Sequence, residues 1–284
     1  MFFAAFLKLI IPIKKTRFKF SYFLDQIALV WIHINSLIFK ITQEIKLEVN
    51  GLENLSPKKS YLVISNHRSW TDIFVLQHIF KRKIPSLKFF LKRELIWVPV
   101  LGLAWWALDF PFLKRYSRQF LKKHPELKGK DMETTRKSCE KFKSFPVSVM
   151  NFVEGTRFDF AKHQKQKPPY KHLLLPNAGG IALVLSNMGN FLTNIIDVTI
   201  VYPYNQPPVL FWDLLAGRIP KIIVEIKILS VPAQVVGYNY QEDHEYKKRI
   251  QQWINQLWQE KDNKIEKIMI EMTDKSHYLK KTKK

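Results

Sequence analysis

Short apolar runs separated by amphipathic stretches organise the middle of this chain. Residues 61–65, 87–91, 147–153, 198–201 and 222–228 are compact apolar runs of the length of buried strands. Between several of them, residues 71–81, 116–121, 131–145 and 179–188 carry the pattern of helices, and Ser69 or Thr71 is placed to cap the first. Turn signals at Gly51 to Asn54 and at Ser56-Pro57 precede the first strand. Strands alternating with helices predict an α/β fold with parallel pairs in the centre of its sheet. Residues 241–273 close the pattern as one or two amphipathic helices bearing Trp253, Leu257 and Trp258, and the lysines beyond Ser276 predict a disordered basic tail over 276–284.

The N-terminal pattern differs. Residues 2–13 are apolar apart from Lys8 but too short to span hydrocarbon, which takes about 20 residues. They lack the order of a signal peptide, because the basic residues follow the apolar run. Residues 22–41 are long enough to span, yet on a helical wheel Asp25, Gln26, His33, Ser36, Lys40, Gln43 and Glu44 fall within one sector of roughly 100°, with Asn35 outside it. This stripe predicts a helix lying in the membrane interface, or one packing its polar seam on protein while its apolar face meets lipid; a plain span is the alternative. Lys14, Lys15, Arg17 and Lys19 would then sit at anionic headgroups.

Charge and composition narrow the class. The 284 residues are 46% hydrophobic, enough for one large domain. A net charge of +22 points to a polyanionic partner, and the aromatic share of 14% with the apolar N-terminus favours a bilayer over nucleic acid. The single cysteine, Cys139, excludes an intramolecular disulfide framework and a Cys-rich zinc site, and its polar, helix-like setting without a nearby histidine argues against a nucleophile.

Two blocks carry candidate chemistry, each where a strand-like run ends. In Asn66-His67-Arg68-Ser69-Trp70-Thr71-Asp72, a histidine precedes a carboxylate that can fold back from the first turn of a helix. An alcohol attacks an acyl group only if a base takes its proton; His67 can be that base, with Asp72 fixing its tautomer and stabilising the imidazolium. Alone, such a pair is unremarkable, since aspartate favours helix N-termini for other reasons. In Phe152-Val153-Glu154-Gly155-Thr156-Arg157, Gly155 lets backbone approach a ligand and Arg157 can clamp a phosphate, with Glu154 placed to orient the guanidinium. Both blocks follow strands, whose carboxyl ends gather ligands in open α/β sheets. A substrate with a free hydroxyl and a phosphate would use both.

With these blocks on the page, the chain resembles the glycerolipid acyltransferases, the lysophosphatidic acid (1-acylglycerol-3-phosphate) acyltransferase superfamily. The family's Asn-His-x4-Asp and Phe-x-Glu-Gly-Thr-Arg blocks stand here without substitution, Phe90 to Gly102 looks like the second block, and Val198 to Pro203 like the fourth. Phe112 to Arg115 and Trp258 to Asp262 look like a bacterial inner-membrane branch.

The resemblance implies a single domain over 49–275 with a mixed, largely parallel sheet flanked by helices, behind a membrane-associated helical segment over 1–48. It implies direct acyl transfer, with His67 and Asp72 catalytic, from acyl-CoA or acyl-acyl-carrier-protein to the glycerol hydroxyl of lysophosphatidic acid. Arg157, Lys92, Gly155, Thr156 and Glu154 would form the phosphate pocket; Pro99, Gly102 and Pro203 would serve the architecture or acyl channel. No bound cofactor or metal is expected, and the setting would be the cytoplasmic face of a bacterial inner membrane. Alternatives are another acceptor, of the lysophosphatidylglycerol or lysocardiolipin type, or a non-catalytic membrane- or RNA-binding protein on the same fold. One departure is that Pro176-Asn177 stands where many relatives carry Pro-Lys, so a supporting basic contact is either missing or supplied by Lys165, Lys167 or Lys171. The segment from Met1 to Pro12 reads as the remnant of a first membrane span.

Overall fold

The central run Tyr61–Ser65 (β2) is buried at every position, which is possible only for a strand covered on both faces. In this computed structural model, describing residues 14–42, 45–99, 101–110, 112–113, 140, 142, 145–232 and 243–281, β2 lies inside a six-stranded sheet. The order is β1 (Lys46–Asn50), β8 (Lys221–Leu229), β7 (Asn194–Val201), β2, β6 (Ser148–Phe152), β3 (Leu87–Phe89). Every pairing is parallel except β7 with β8. The sheet is thus mixed and largely parallel, as expected. A two-stranded parallel pair, β4 (Leu91–Lys92) and β5 (Phe112–Leu113), stands beside it.

Side-chain alternation divides the core into two layers. Leu62 and Ile64 of β2 and Val149 of β6 join α5 (Ala178–Met188) and α7 (His244–Lys281) on one face. Tyr61, Val63 and Met150 face α2 (Thr71–Phe80) and Leu214 of the short α6 (Phe211–Leu215) on the other. Helix α7 buries Tyr246, Ile250, Ile254, Leu257, Trp258 and Ile265, a stripe at helical spacing that closes its face of the sheet. It runs unbroken to Lys281, so residues 276–281 are helical rather than part of a disordered tail.

The N-terminal helix, α1 (Lys14–Thr42), extends the predicted segment at its start. Its polar seam packs on protein: Ser36 is buried, and Asp25 accepts a hydrogen bond at 2.7 Å from Lys88 Nζ of β3, which also donates to the Leu108 carbonyl. The opposite face exposes Phe23, Val30, Trp31, Ile34 and Leu37. No helix among the described residues is long and apolar enough to cross a membrane. The expected helices at 116–121 and most of 131–145, Cys139, and residues 1–13 fall outside the described residues.

Several elements were not foreseen, among them β5 and α6. β1 alternates exposed and half-buried positions at the sheet edge, α3 (Leu101–Ala107) follows a 3₁₀ turn at Arg93–Trp97, and α4 (Phe160–Gln166) follows the second chemical block.

Candidate active site

The parallel strands β2, β6 and β7 all end at one edge of the sheet, and the segments leaving them meet there. Beyond β2, Asn66 substitutes its side chain for the ladder: Nδ2 donates to the Ile200 carbonyl and Oδ1 accepts the Ile200 N–H, each at 2.9 Å. This holds the next residue, His67, at the strand end. Neither Ser69 nor Thr71 caps α2; Trp70 occupies the N-cap without a side-chain bond, while Ser69 Oγ accepts the Thr71 N–H at 3.1 Å.

Asp72 folds back from the first turn as expected, and it is fully buried. Its Oδ2 accepts from His67 Nδ1 at 2.8 Å, from the Arg68 N–H at 2.7 Å and from the Ser69 N–H at 2.9 Å. Its Oδ1 accepts from the Tyr202 hydroxyl at 2.6 Å. Four donors on one carboxylate leave it no freedom to turn. Burial first, then the charge and hydrogen bond of Asp72, hold the Tyr202 hydroxyl well above its usual range, so Tyr202 remains a neutral donor.

With Nδ1 committed to Asp72, the His67 tautomer that donates there leaves Nε2 as an acceptor, and Nε2 has no hydrogen-bond partner among the described residues. The ring is clamped by Phe152, the last residue of β6, stacked on it at 3.8 Å between centroids and 11° between planes. Phe158 donates its N–H to the His67 carbonyl at 2.8 Å, tying the second block to the first.

The second block divides. Gly155 is exposed with a φ of +68°, a conformation open to glycine, and no atom lies within 4 Å of where a Cβ would sit. Arg157 places its guanidinium over the Trp70 ring at 5.2 Å from the centroid, and Trp70 meets His67 edge-on at 6.5 Å. The clamp and the base are therefore neighbours. Thr156 accepts at 3.0 Å from Nζ of Lys162, an α4 lysine that also donates to the Arg157 carbonyl at 2.9 Å.

Glu154 does not orient Arg157. It turns inward, buried, with no hydrogen-bond partner for either carboxyl oxygen among the described residues. Burial drives its carboxyl well above the usual carboxylate range; the Arg68 charge acts against this and the Asp72 charge adds to it. The His67 N–H also favours the charged form, but the approach falls short of a hydrogen bond. A buried carboxyl of this kind does not face a phosphate beside Arg157.

Lys92 lies in β4, but its side chain is outside the described residues. Pro99 and Gly102 shape the turn into α3: the Leu101 N–H bonds the Pro99 carbonyl at 2.7 Å, and a Cβ on Gly102 would come within 2.0 Å of the Ile96 carbonyl oxygen. An apolar cavity of about 270 Å³ between α1, α2, β3 and α3 is lined by Leu29, Trp31, Phe80, Leu101, Ala104 and Trp105, but not by Pro99, Gly102 or Pro203. Asn177 serves as N-cap of α5, accepting the Gly179 N–H at 3.0 Å, which accounts for its place after Pro176. Of the lysines considered as substitutes for a missing basic contact, Lys171 pairs with Glu266 instead, and it is Lys162 that reaches the block.

Asn66, Arg68, Phe152 and Tyr202 were inside the recognised blocks without an assigned role; each acts through a backbone or through-space contact that spacing does not reveal. Lys261 of α7 was likewise only part of a motif. Its Nζ is buried against Asp197 Oδ1, the Val198 carbonyl and Thr199 Oγ1 at 2.7, 2.6 and 3.0 Å.

A family model described as Acyltransferase matches residues 46–202. A 1-acyl-sn-glycerol-3-phosphate acyltransferase delta from Bos taurus is 26% identical over 217 residues, covering 72% of this chain and 52% of the relative. A 1-acyl-sn-glycerol-3-phosphate acyltransferase 2 from Brassica oleracea is 29% identical over 190 residues, covering 63% and 46%. The chain spans about half the length of these curated relatives. The crystal structure of the 1-acyl-sn-glycerophosphate (LPA) acyltransferase PlsC from Thermotoga maritima superposes with a TM-score of 0.52 over 93% of this chain and 88% of that one, at 16% identity, and so shares the fold.

Proposed function

The chain belongs to the acyltransferase family, and from that premise we propose that it transfers a fatty acyl group from an acyl thioester to the free glycerol hydroxyl of lysophosphatidic acid, giving phosphatidic acid. The donor is acyl-CoA or acyl-acyl-carrier-protein, both acidic, which suits the net charge of +22. The acceptor class is supported by the names of the relatives.

The observation that carries the mechanism is the fixed His67–Asp72 pair with Nε2 left open. The acceptor hydroxyl gives its proton to His67 Nε2 as its oxygen bonds to the thioester carbonyl carbon. Asp72 stabilises the imidazolium through Nδ1–H. The C–S bond then breaks, and the imidazolium returns the proton to the leaving thiolate. No acyl-enzyme is formed. Arg157, Lys92, Gly155 and Thr156 hold the acceptor phosphate, and the exposed apolar face of α1 lies on the bilayer that supplies the acceptor. Placement at a cytoplasmic membrane with the site facing the cytoplasm belongs to the same proposal.

The test offers lysophosphatidate, lysophosphatidylglycerol and a lysocardiolipin, with labelled acyl thioesters, to membranes carrying wild type or His67→Ala. Loss of transfer by about 10²–10⁴-fold is expected for a removed general base. Unchanged transfer in His67→Ala would overturn the mechanism, and transfer confined to another lysophospholipid would overturn the acceptor.

A further inference from the structure

The segment between α4 and α5, residues 167–177, has no strand or helix of its own, yet it lies against the catalytic loop. Tyr170 and Leu175 bond to α4 and Asn177 to the Val153 carbonyl, and α7 holds the stretch between, at residues 171–172. Asp262, buried, accepts the Lys171 N–H on Oδ2 at 2.8 Å and the His172 N–H on Oδ1 at 2.7 Å, so both carboxylate oxygens grip one dipeptide. One turn further along, Glu266 receives the side chains of the same two residues, Lys171 Nζ at 2.6 Å and His172 Nε2. These bonds hold Glu266 below the usual carboxylate range. Next to Asp262, the buried Lys261–Asp197 pair anchors this turn of α7 to β7.

The gripped dipeptide turns one carbonyl outward to the site: His172 C=O accepts Arg68 Nη1 at 3.1 Å. Arg68 is itself buried, its guanidinium over the Phe158 ring at 4.6 Å, and its N–H is one of the donors on Asp72 Oδ2. A continuous set of bonds thus runs from α7 through the 171–172 backbone and Arg68 to the carboxylate that orients His67.

We propose that Asp262, assisted by Glu266, is a positioning residue of the catalytic centre: it pins the His172 carbonyl that holds Arg68, and through Arg68 keeps Asp72 aligned on His67. The proposal rests on the acyltransferase reading for its kinetic consequence. Its structural content is independent of that reading. An aspartate that merely stabilised a surface loop would affect folding and leave the turnover of the folded enzyme alone. A positioning residue acts on turnover and acts through Arg68.

The experiment uses the full chain as wild type, Asp262→Asn, Glu266→Gln, Arg68→Gln and the Asp262→Asn/Arg68→Gln double variant. About 10-fold in kcat, the scale of one lost hydrogen bond, is expected for Asp262→Asn, with KM for acceptor and donor within about twofold. Because both changes break the same path, Asp262→Asn should cost less than about twofold when Arg68 is already Gln. Fully multiplicative losses in the double variant would overturn the proposal. The second readout needs no substrate: the downfield proton resonance of His67 Nδ1–H, bonded to Asp72, should move in Asp262→Asn and, less, in Glu266→Gln. An unmoved resonance in a folded variant would also overturn it; should Asp262→Asn fail to fold, the partly exposed Glu266→Gln decides. A wild type inactive towards every lysophospholipid would sink the functional reading while the resonance still judges the positioning role.

Discussion

Tyr202, at the end of β7, donates its hydroxyl to Asp72 Oδ1 at 2.6 Å across 130 residues of sequence. The other oxygen of Asp72 serves His67 and two backbone N–H groups, so among the described residues Tyr202 is the one side chain besides the histidine that aims the carboxylate. Tyr202→Phe removes a single oxygen from a fully buried site and leaves the acceptor short of a donor. The expected result is a loss of about 1–3 kcal/mol in stability. A fall in kcat of about 10-fold, the scale of one lost hydrogen bond, with KM little changed, should accompany it. Denaturant unfolding and steady-state kinetics on the same preparation check both; an undiminished kcat would show that the backbone N–H groups aim Asp72 sufficiently.

Glu154 makes stability depend on pH in an unusual direction. Its folded-state carboxyl is held well above the usual carboxylate range, chiefly by burial, against the pull of Arg68. Above the ordinary range the unfolded chain has released this proton while the folded chain retains it. Fewer protons are then bound in the unfolded state, so this group's contribution to stability declines as pH rises, until the folded carboxyl also ionises. Glu154→Gln preserves the shape and removes the titration. Its unfolding free energy should vary less with pH between about 5 and 8 than that of wild type. An unchanged dependence in the variant would mean that Glu154 is charged in the folded protein and paired in a way its geometry does not indicate.

What could be read in advance was what is local. β2 and α2 lie within a residue of the expected bounds because an all-apolar strand and a helix beginning at the block have short-range signatures. β1 escaped because Lys46, Glu48 and Asn50 alternate with only two apolar positions at an edge. In the site, the His67–Asp72 bond followed from a spacing of five residues on one turn, and the structure forms it. The Glu154–Arg157 pair, also expected from spacing, does not form, because the turn at Gly155 sends the two side chains to opposite sides: one into the core, one over Trp70. Tyr202, Lys261 and Asp262 reach the site through sheet order and helix packing, which no spacing encodes.

Arg157 separates binding from chemistry. Its guanidinium lies over Trp70 and near the base, but it makes no contact with His67 or Asp72 in the hydrogen-bond network. Arg157→Ala should therefore raise KM for lysophosphatidate by about 10-fold or more, the worth of a charge-assisted pair at about 1.5–3 kcal/mol, while a phosphate-free monoacylglycerol acceptor loses little. Equal losses with both acceptors would assign Arg157 to the structure of the loop instead of to the phosphate.

The Lys261–Asp197 pair explains an anomaly in β7. The strand is apolar at Ile196, Val198 and Ile200 on the α2 face, but Asp197 and Thr199 stand on the opposite, α7 face in the middle of a buried strand. Lys261 answers both, and the Val198 carbonyl, with one ammonium. Burial pushes this ammonium down, and the Asp197 charge, with its hydrogen bond, is the main influence opposing that. Lys261→Met keeps the apolar stem but strands a carboxylate among apolar side chains, and should destabilise the protein by about 3–5 kcal/mol. Adding Asp197→Leu removes the stranded charge, so the double variant should recover much of the loss, as replaced buried pairs commonly do. Denaturant midpoints of the two single variants and the double measure this. A double variant less stable than either single one would show that Thr199 and the Val198 carbonyl, deprived of the ammonium, dominate the cost.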